Sequence, residues 1–289
     1  MTLLFLLALI VLTAAATISS YYQTIHPKPA VETPKTEMKK IPDDVKKSLA
    51  DTPTPSLLAS IRVPILMYHY VEYVQDKKDT IRESLNVNPD VFESQMVTLK
   101  NAGYTFMTAK ELGDVLDGKM KLPSQPILLT FDDGHWDFDT VVLPILKKYN
   151  IHATAYIISG FIGGSDFMSQ TQLQDVVNSG LIDVGDHTIH HYALKGLPFQ
   201  LVTTEVTQSK ADLEKQYHIH IVSFAYPNGS FDLQAINAVK SAGYTTAVST
   251  IPGIIQSNTN RYFLYRLRPG YRTGQALVNW LQQNAFQAY

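Results

Sequence analysis

The chain contains no cysteine. That removes disulfides, thiolate metal sites, cysteine nucleophiles and a lipid-modified N-terminal cysteine together. Any metal site must therefore be built from His, Asp and Glu. The chain also lacks an excess of either charge: 24 basic against 26 acidic side chains leave a formal net charge of −2. No basic stripe alternates with aromatics, so nucleic acid is not an expected partner. Charged residues are only 17% and hydrophobic residues 45% of the 289 positions, a globular composition with material for one large domain or two small ones. Nothing in the pattern sets an oligomeric state.

A further absence is local. The first 25 residues carry no charged side chain, and residues 3–16 are almost continuously apolar. Such a stretch near a chain start reads as a targeting segment. Ala14-Ala15-Ala16 offers a small-residue cleavage site, while Ile18, Tyr21 and Tyr22 extend the segment toward the roughly 20 residues that span a bilayer. Export is expected, with residues 1–25 a signal peptide or an N-terminal membrane anchor. The protein would then be secreted or held at the cell surface. Residues 26–60 change character, with six of the 15 prolines, six lysines and few large apolar groups. Proline fixes φ and removes a donor, so an extended, semi-rigid linker is expected here. A folded domain is expected over residues 61–289.

Within that domain strand-like and helix-like patterns alternate. Val63-Pro64-Ile65-Leu66-Met67-Tyr68, Pro126-Ile127-Leu128-Leu129-Thr130-Phe131 and Ala153-Thr154-Ala155-Tyr156-Ile157-Ile158 read as buried strands, and Phe92, Met96 and Leu99 share a helical face. Gly103, Gly180 and Gly243 each stand where a helix ends in the left-handed conformation before a short apolar strand. Trp280 with Leu277 and Leu281 reads as the core face of a terminal helix. This alternation implies a mostly parallel sheet covered by helices, hence α/β. In a closed or nearly closed barrel, functional side chains collect at the C-terminal strand ends.

Two polar clusters lie at such ends. Thr130-Phe131-Asp132-Asp133-Gly134 places adjacent carboxylates where they repel each other unless a cation is present; one can bind a metal while its neighbour stays free as a base. Asp186-His187-Thr188-Ile189-His190-His191 puts His187 and His191 four apart, able to face one centre if the segment turns helically. Two His and one Asp leave an open coordination position, the arrangement of a catalytic site. His135 and Trp136 stand close enough to line a cleft or to pack a turn.

The two clusters, in this order, resemble the first two motifs of the NodB-type polysaccharide deacetylases, carbohydrate esterase family 4, over roughly residue 61 to the C-terminus. The resemblance implies a distorted (β/α) barrel and a divalent metal, foremost Zn2+. It makes Asp132 the general base and Asp133, His187 and His191 the metal ligands, whereas His190 falls at a variable position. Phe224-Ala225-Tyr226-Pro227-Asn228-Gly229 is similar to the third motif but has Ala225 in place of its Arg and Asn228 in place of its Tyr. The motif uses that second position mainly for a backbone N–H, which Asn can supply. Tyr226, Asn228 and Arg266 are then the candidates for substrate or oxyanion contacts, and Arg266 or Arg268 for the absent Arg. The family's final Leu-x-His strand is missing, and Ile65-Leu66-Met67-Tyr68-His69 looks like it. Poly-β-1,6-N-acetylglucosamine deacetylases place that strand first, as in a circularly permuted barrel, which makes His69 the general acid. The implied reaction removes N-acetyl groups from N-acetylglucosamine units of an N-acetylated polysaccharide. The alternatives are an O-acetyl polysaccharide esterase and a non-catalytic glycan-binding module with a decayed site.

Overall fold

The structure is a computed structural model in which residues 40–50 and 60–284 are described. The targeting segment 1–25 and most of the linker lie outside the described residues. Among the described residues no helix is long and apolar enough to cross a membrane. In chain order the main elements are α1 (Asp43–Ala50), β1 (Ile61–Arg62), β2 (Ile65–Tyr68), α2 (Thr80–Leu85), α3 (Pro89–Asn101), β3 (Thr105–Met107), α4 (Ala109–Leu116) and β4 (Pro126–Phe131). They continue with α5 (Leu143–Tyr149), β5 (Ala153–Ile157), α6 (Gln170–Asn178), β6 (Ile182–Asp186), α7 (Phe199–Tyr217), β7 (Ser223–Ala225), α8 (Leu233–Ser241), β8 (Thr246–Pro252), β9 (Ile255–Gln256), β10 (Leu264–Arg266) and α9 (Gly274–Asn284).

Strands β2, β4, β5, β6, β7, β8 and β10 are neighbours in that order, all parallel, and β3 pairs with the N-terminal half of β4. The sheet curls until its ends meet. Met67 N–H donates to the Leu267 carbonyl at 2.9 Å and Leu267 N–H to that of Ile65 at 2.8 Å. The result is a nearly closed (β/α) barrel in which the first and last parallel strands form the seam. β1 and β9 make a separate antiparallel pair.

Side chains alternate across each strand. One set, with Ile65, Leu128, Tyr156, Ala225, Val248 and Leu264, fills the barrel. The other, with Leu66, Leu129, Phe131, Ala155, Val184 and Phe224, packs against the helices. Phe92, Met96 and Leu99 of α3 are fully buried there, each worth about 1.5–3 kcal/mol of apolar transfer. Gly103, Gly180 and Gly243 have φ of 81°, 68° and 81°, as their place before a strand predicts. Leu277 and Leu281 bury the inner face of α9.

Helix α4 seals the N-terminal end of the barrel. Thr108 and Glu111 form a capping box at its start, Ala109 N–H donates to Thr154 Oγ1 at 2.9 Å, and Lys110 N–H to Asp183 Oδ2 at 3.2 Å. Gly113 must be glycine for this fit, because a Cβ there would stand 2.9 Å from Thr245 Oγ1. The C-terminal end stays open. Burial pushes the Asp183 carboxyl up to about 7, against the opposing pull of Lys110. Its folded value lies above the ordinary carboxylate range, so between about pH 4 and 7 the folded state holds the extra proton and stability falls as pH rises. Asp183→Asn is expected to remove part of that decline in denaturant melts across pH 4–8. An undiminished decline would contradict this.

One expectation is corrected. The linker 26–60 is not extended throughout, because residues 43–50 form α1. Val45 of this helix is buried in the main core, and Ile41 and Leu49 pack beside it. Asp44 Oδ2 accepts the Leu233 N–H at 2.8 Å, which ties α1 to the start of α8. The compact unit therefore reaches further toward the N-terminus than residue 61.

Candidate active site and metal centre

At the open end, β4 continues its inward face through Leu128 and Thr130 to Asp132, whose N–H still pairs with the Tyr68 carbonyl at 3.0 Å. The chain then turns through Asp133 and Gly134, both left-handed at φ 76° and 79°. Such a conformation is costly for a residue with a Cβ and collects at functional sites. The turn separates the two carboxylates, leaving Asp132 inside the barrel and directing Asp133 toward the end of β6.

Asp132 meets Arg266 of β10. Nη1 donates to Oδ1 and Nη2 to Oδ2, each at 2.7 Å, a bidentate pair with both residues buried. Arg266 Nε also donates to the Ser249 carbonyl at 2.8 Å, and Nη1 to Thr130 Oγ1 at 3.1 Å. Burial alone would raise the Asp132 pKa. The Arg266 guanidinium, with His69 and His187, more than offsets it, and the carboxyl is held below its ordinary value. His69, just past β2, has Nε2 3.9 Å from Asp132 Oδ2. Burial pushes this ring down to about 4, against the pull of Asp133 and Asp132.

Asp133 Oδ1 lies 3.3 Å from Nε2 of both His187 and His191. Segment 187–191 is an open turn rather than the helical turn expected, with Thr188 and His191 left-handed at φ 70° and 58°; this brings the two rings to 4.8 Å. His187 Nδ1–H donates to the Ala225 carbonyl at 2.7 Å, which leaves the Nε2 lone pair facing Asp133. Burial pushes His191 down to about 4, so its ring is neutral, whereas Asp133 is held well below the carboxylate range despite burial. For His187, burial is outweighed by Asp133 and Asp132, and its pKa is raised.

Asp133 Oδ1 is itself buried without a hydrogen-bond partner. One ligand atom from each of Asp133, His187 and His191 lies within 4.8 Å of the others. Convergence of a carboxylate oxygen and two imidazole nitrogens with no donor between them fits a divalent cation.

The expected site residues thus divide. Asp132, Asp133, His187, His191, His69 and Arg266 come together. Asn228 lies in the turn Pro227–Gly229 directly after β7, left-handed at φ 55°. Tyr226 does not join them. Its ring stacks on Phe231 at 4.9 Å and meets Phe224 edge-on at 5.2 Å in the helix-side core. Ala225 faces the barrel and its neighbour must face outward, so Tyr226 is corrected to a core residue. Of the two candidate arginines it is Arg266 that grips Asp132, while the charge of Arg268 is felt at His69.

Two supporting acids were given no role from the sequence: Glu205 was not singled out, and Asp186 was named only as the start of the second cluster. Glu205 of α7, 1% exposed, accepts the N–H groups of Ile189 and His190 at 3.1 and 2.9 Å and lies 2.6 Å from His190 Nδ1. Asp186 accepts from Thr188 N–H, Ser209 Oγ and the Tyr244 hydroxyl. A signal existed for the first, since Glu205 interrupts the apolar face Val202, Val206, Leu213.

A nearly closed parallel barrel with this constellation at the C-terminal ends of its strands is the arrangement that the resemblance to the deacetylase class of hydrolases implied. A family model described as "Polysaccharide deacetylase" matches residues 119–247. A Bacillus subtilis protein named "Putative polysaccharide deacetylase YxkH" is 32% identical over 207 residues, covering 72% of this chain and 71% of its own length. A Staphylococcus aureus poly-β-1,6-N-acetyl-D-glucosamine N-deacetylase is 26% identical over 220 residues, 72% of this chain and 75% of the relative. Among solved structures, the Streptococcus pyogenes deacetylase PplD in complex with acetate superposes with a TM-score of 0.70 at 31% identity, over 78% of this chain and 99% of the other. The chain belongs to the polysaccharide deacetylase family. The matched stretch 119–247 takes in Asp132, Asp133, His187 and His191, but His69 and Arg266 lie outside it.

Proposed function

We propose that this deacetylase removes N-acetyl groups from N-acetylglucosamine units of a cell-surface or extracellular polysaccharide, using a divalent cation, foremost Zn2+, at Asp133, His187 and His191. The observation that carries this reading is the meeting of three acceptor atoms beside a separate, ionised Asp132. A cation there would supply Lewis acidity, polarising the acetyl carbonyl and making water more acidic. Asp132, fixed by both guanidinium nitrogens of Arg266, takes a proton from the attacking water. A backbone N–H near Asn228, in the turn directly after β7, is the donor that the family resemblance assigns to the oxygen that gains charge in the tetrahedral state. His69, neutral at rest, protonates the leaving amine; it stands 3.9 Å from Asp132, so a small closing shift brings it within hydrogen-bond reach of the proton that Asp132 has received. The products are acetate and a free amino sugar.

The S. aureus relative, by its name, acts on a β-1,6-linked N-acetylglucosamine polymer, which supports the choice of glycan. The apolar, uncharged residues 1–25 support export, with the protein either secreted or held at the cell surface. Purified protein incubated with β-1,6-linked N-acetylglucosamine oligomers is expected to release acetate and expose free amines. A chelator should abolish both, and added Zn2+ should restore them. Acetate from acetylated xylan with no new amine from the oligomers would replace the N-deacetylase reading with an esterase. Full activity in chelator would remove the metal.

A further inference from the structure

His135 is a third imidazole against Asp133, on the side away from the proposed metal position. Its Nε2 lies 3.3 Å from Asp133 Oδ2, whereas His187 and His191 both address Oδ1. The ring is 4% exposed and stands between two others, Tyr70 at 3.9 Å and Phe167 at 5.0 Å, each inclined by 24°. Its Nδ1 edge lies 3.1 Å from the Asp166 carbonyl, so both ring nitrogens face acceptors, and the ionised carboxylate, the stronger acceptor of the two, takes the N–H at Nε2. Around it the loops after β4 and β5 are stitched together, with Trp136 N–H donating to Asp166 O at 3.2 Å and Met168 N–H to Gly134 O at 3.0 Å. The guanidinium of Arg82 covers Tyr70 at 4.4 Å and pairs with Glu72 at 2.9 Å and Asp166 at 3.2 Å. The His135 ring is therefore fixed in plane and in rotation by three loops.

We propose that His135 is a positioning residue that holds Asp133 Oδ2, so that Asp133 presents only Oδ1 to the metal. An ionised carboxylate has two equivalent oxygens and, left free, can bind a cation through one or through both. Engaging one of them keeps Asp133 a single-atom ligand and leaves the remaining coordination positions to water and substrate. Partners of this kind orient a ligand and tune the affinity of a site, and their loss typically costs about 10–100-fold in metal binding or activity. The proposal rests on the reading that Asp133, His187 and His191 hold a divalent cation.

The test is metal binding rather than turnover. Zn2+ dissociation constants are measured by competition with a chromophoric chelator, and the Co2+-substituted protein is examined by visible absorption, whose band intensity reports coordination number. His135→Phe keeps the stacked ring and deletes the donor. It is expected to weaken Zn2+ binding at least tenfold and to change the Co2+ spectrum. His135→Gln, which keeps an N–H near the Nε2 position, should stay within a few-fold of the parent. If His135→Phe does not fold, His135→Asn, too short to reach Oδ2, must show the same loss. Asp133→Ala separates the two levels. If it leaves Zn2+ binding intact, the metal reading itself falls and this inference with it. If it abolishes binding while His135→Phe matches the parent in affinity and spectrum, only the role of His135 is overturned.

Discussion

Asp132→Asn is expected to lower the rate of acetate release by about 10²- to 10⁴-fold, the usual contribution of a positioned general base, while the protein still binds its metal. Asparagine has nearly the shape of aspartate but cannot accept the water proton. The proposed ligand atoms belong to Asp133, His187 and His191, so a loss of rate with unchanged metal content isolates the proton transfer. Retention of the full rate in a metal-loaded variant would remove Asp132 from the mechanism. The substitution also leaves Arg266 facing a neutral amide inside the barrel, so a lower melting temperature should accompany the lost rate.

Arg266→Met is expected to destabilise the fold by about 3–5 kcal/mol, because removing one partner strands the other charge in the interior. The guanidinium is what holds the Asp132 carboxyl down against burial. As a carboxylate with a depressed folded value, Asp132 contributes stability that is complete above the ordinary carboxylate range and lost as pH falls through the depressed one. Without Arg266 that contribution disappears and burial pushes the carboxyl up, so the acid limb of the activity profile should move to higher pH. The double variant Asp132→Asn/Arg266→Met should be less unstable than the sum of the singles by about 0.5–3 kcal/mol, the coupling expected of residues in direct contact. A single Arg266→Met variant with the parent's melting behaviour and pH profile would refute the pairing.

What could be read from sequence was local. Gly103, Gly180 and Gly243 marked helix ends because the left-handed conformation favours glycine at those positions. The clusters around Asp132 and His187 stood out because each is short and ends an apolar run. What was obscured depended on parity or on distance along the chain. Tyr226 was a candidate although Ala225, one residue earlier, takes the inward face. Convergence of His187 and His191 was expected on condition that the segment turns helically, whereas two left-handed residues, Thr188 and His191, achieve it without a helix. Helix α1 was hidden among prolines, despite Ile41, Val45 and Leu49 recurring at fourfold spacing. Arg266 could only be nominated: it is separated from Asp132 by 134 positions, and no local pattern records a partner that far away.

That separation bears on how activity is acquired during synthesis. Asp132 and Arg266 face each other near the seam of the barrel, where β2 meets β10, the last strand among the described residues. A growing chain acquires its histidines and both aspartates early, yet has no cation to set opposite Asp132 until β10 emerges. Until then nothing in the nascent protein offsets the cost of burying that carboxylate. A chain stopped before residue 264 is therefore expected to carry the family's two leading motifs and yet release no acetate, because its barrel seam is unclosed and Asp132 has no partner; acetate release from such a truncation would contradict this.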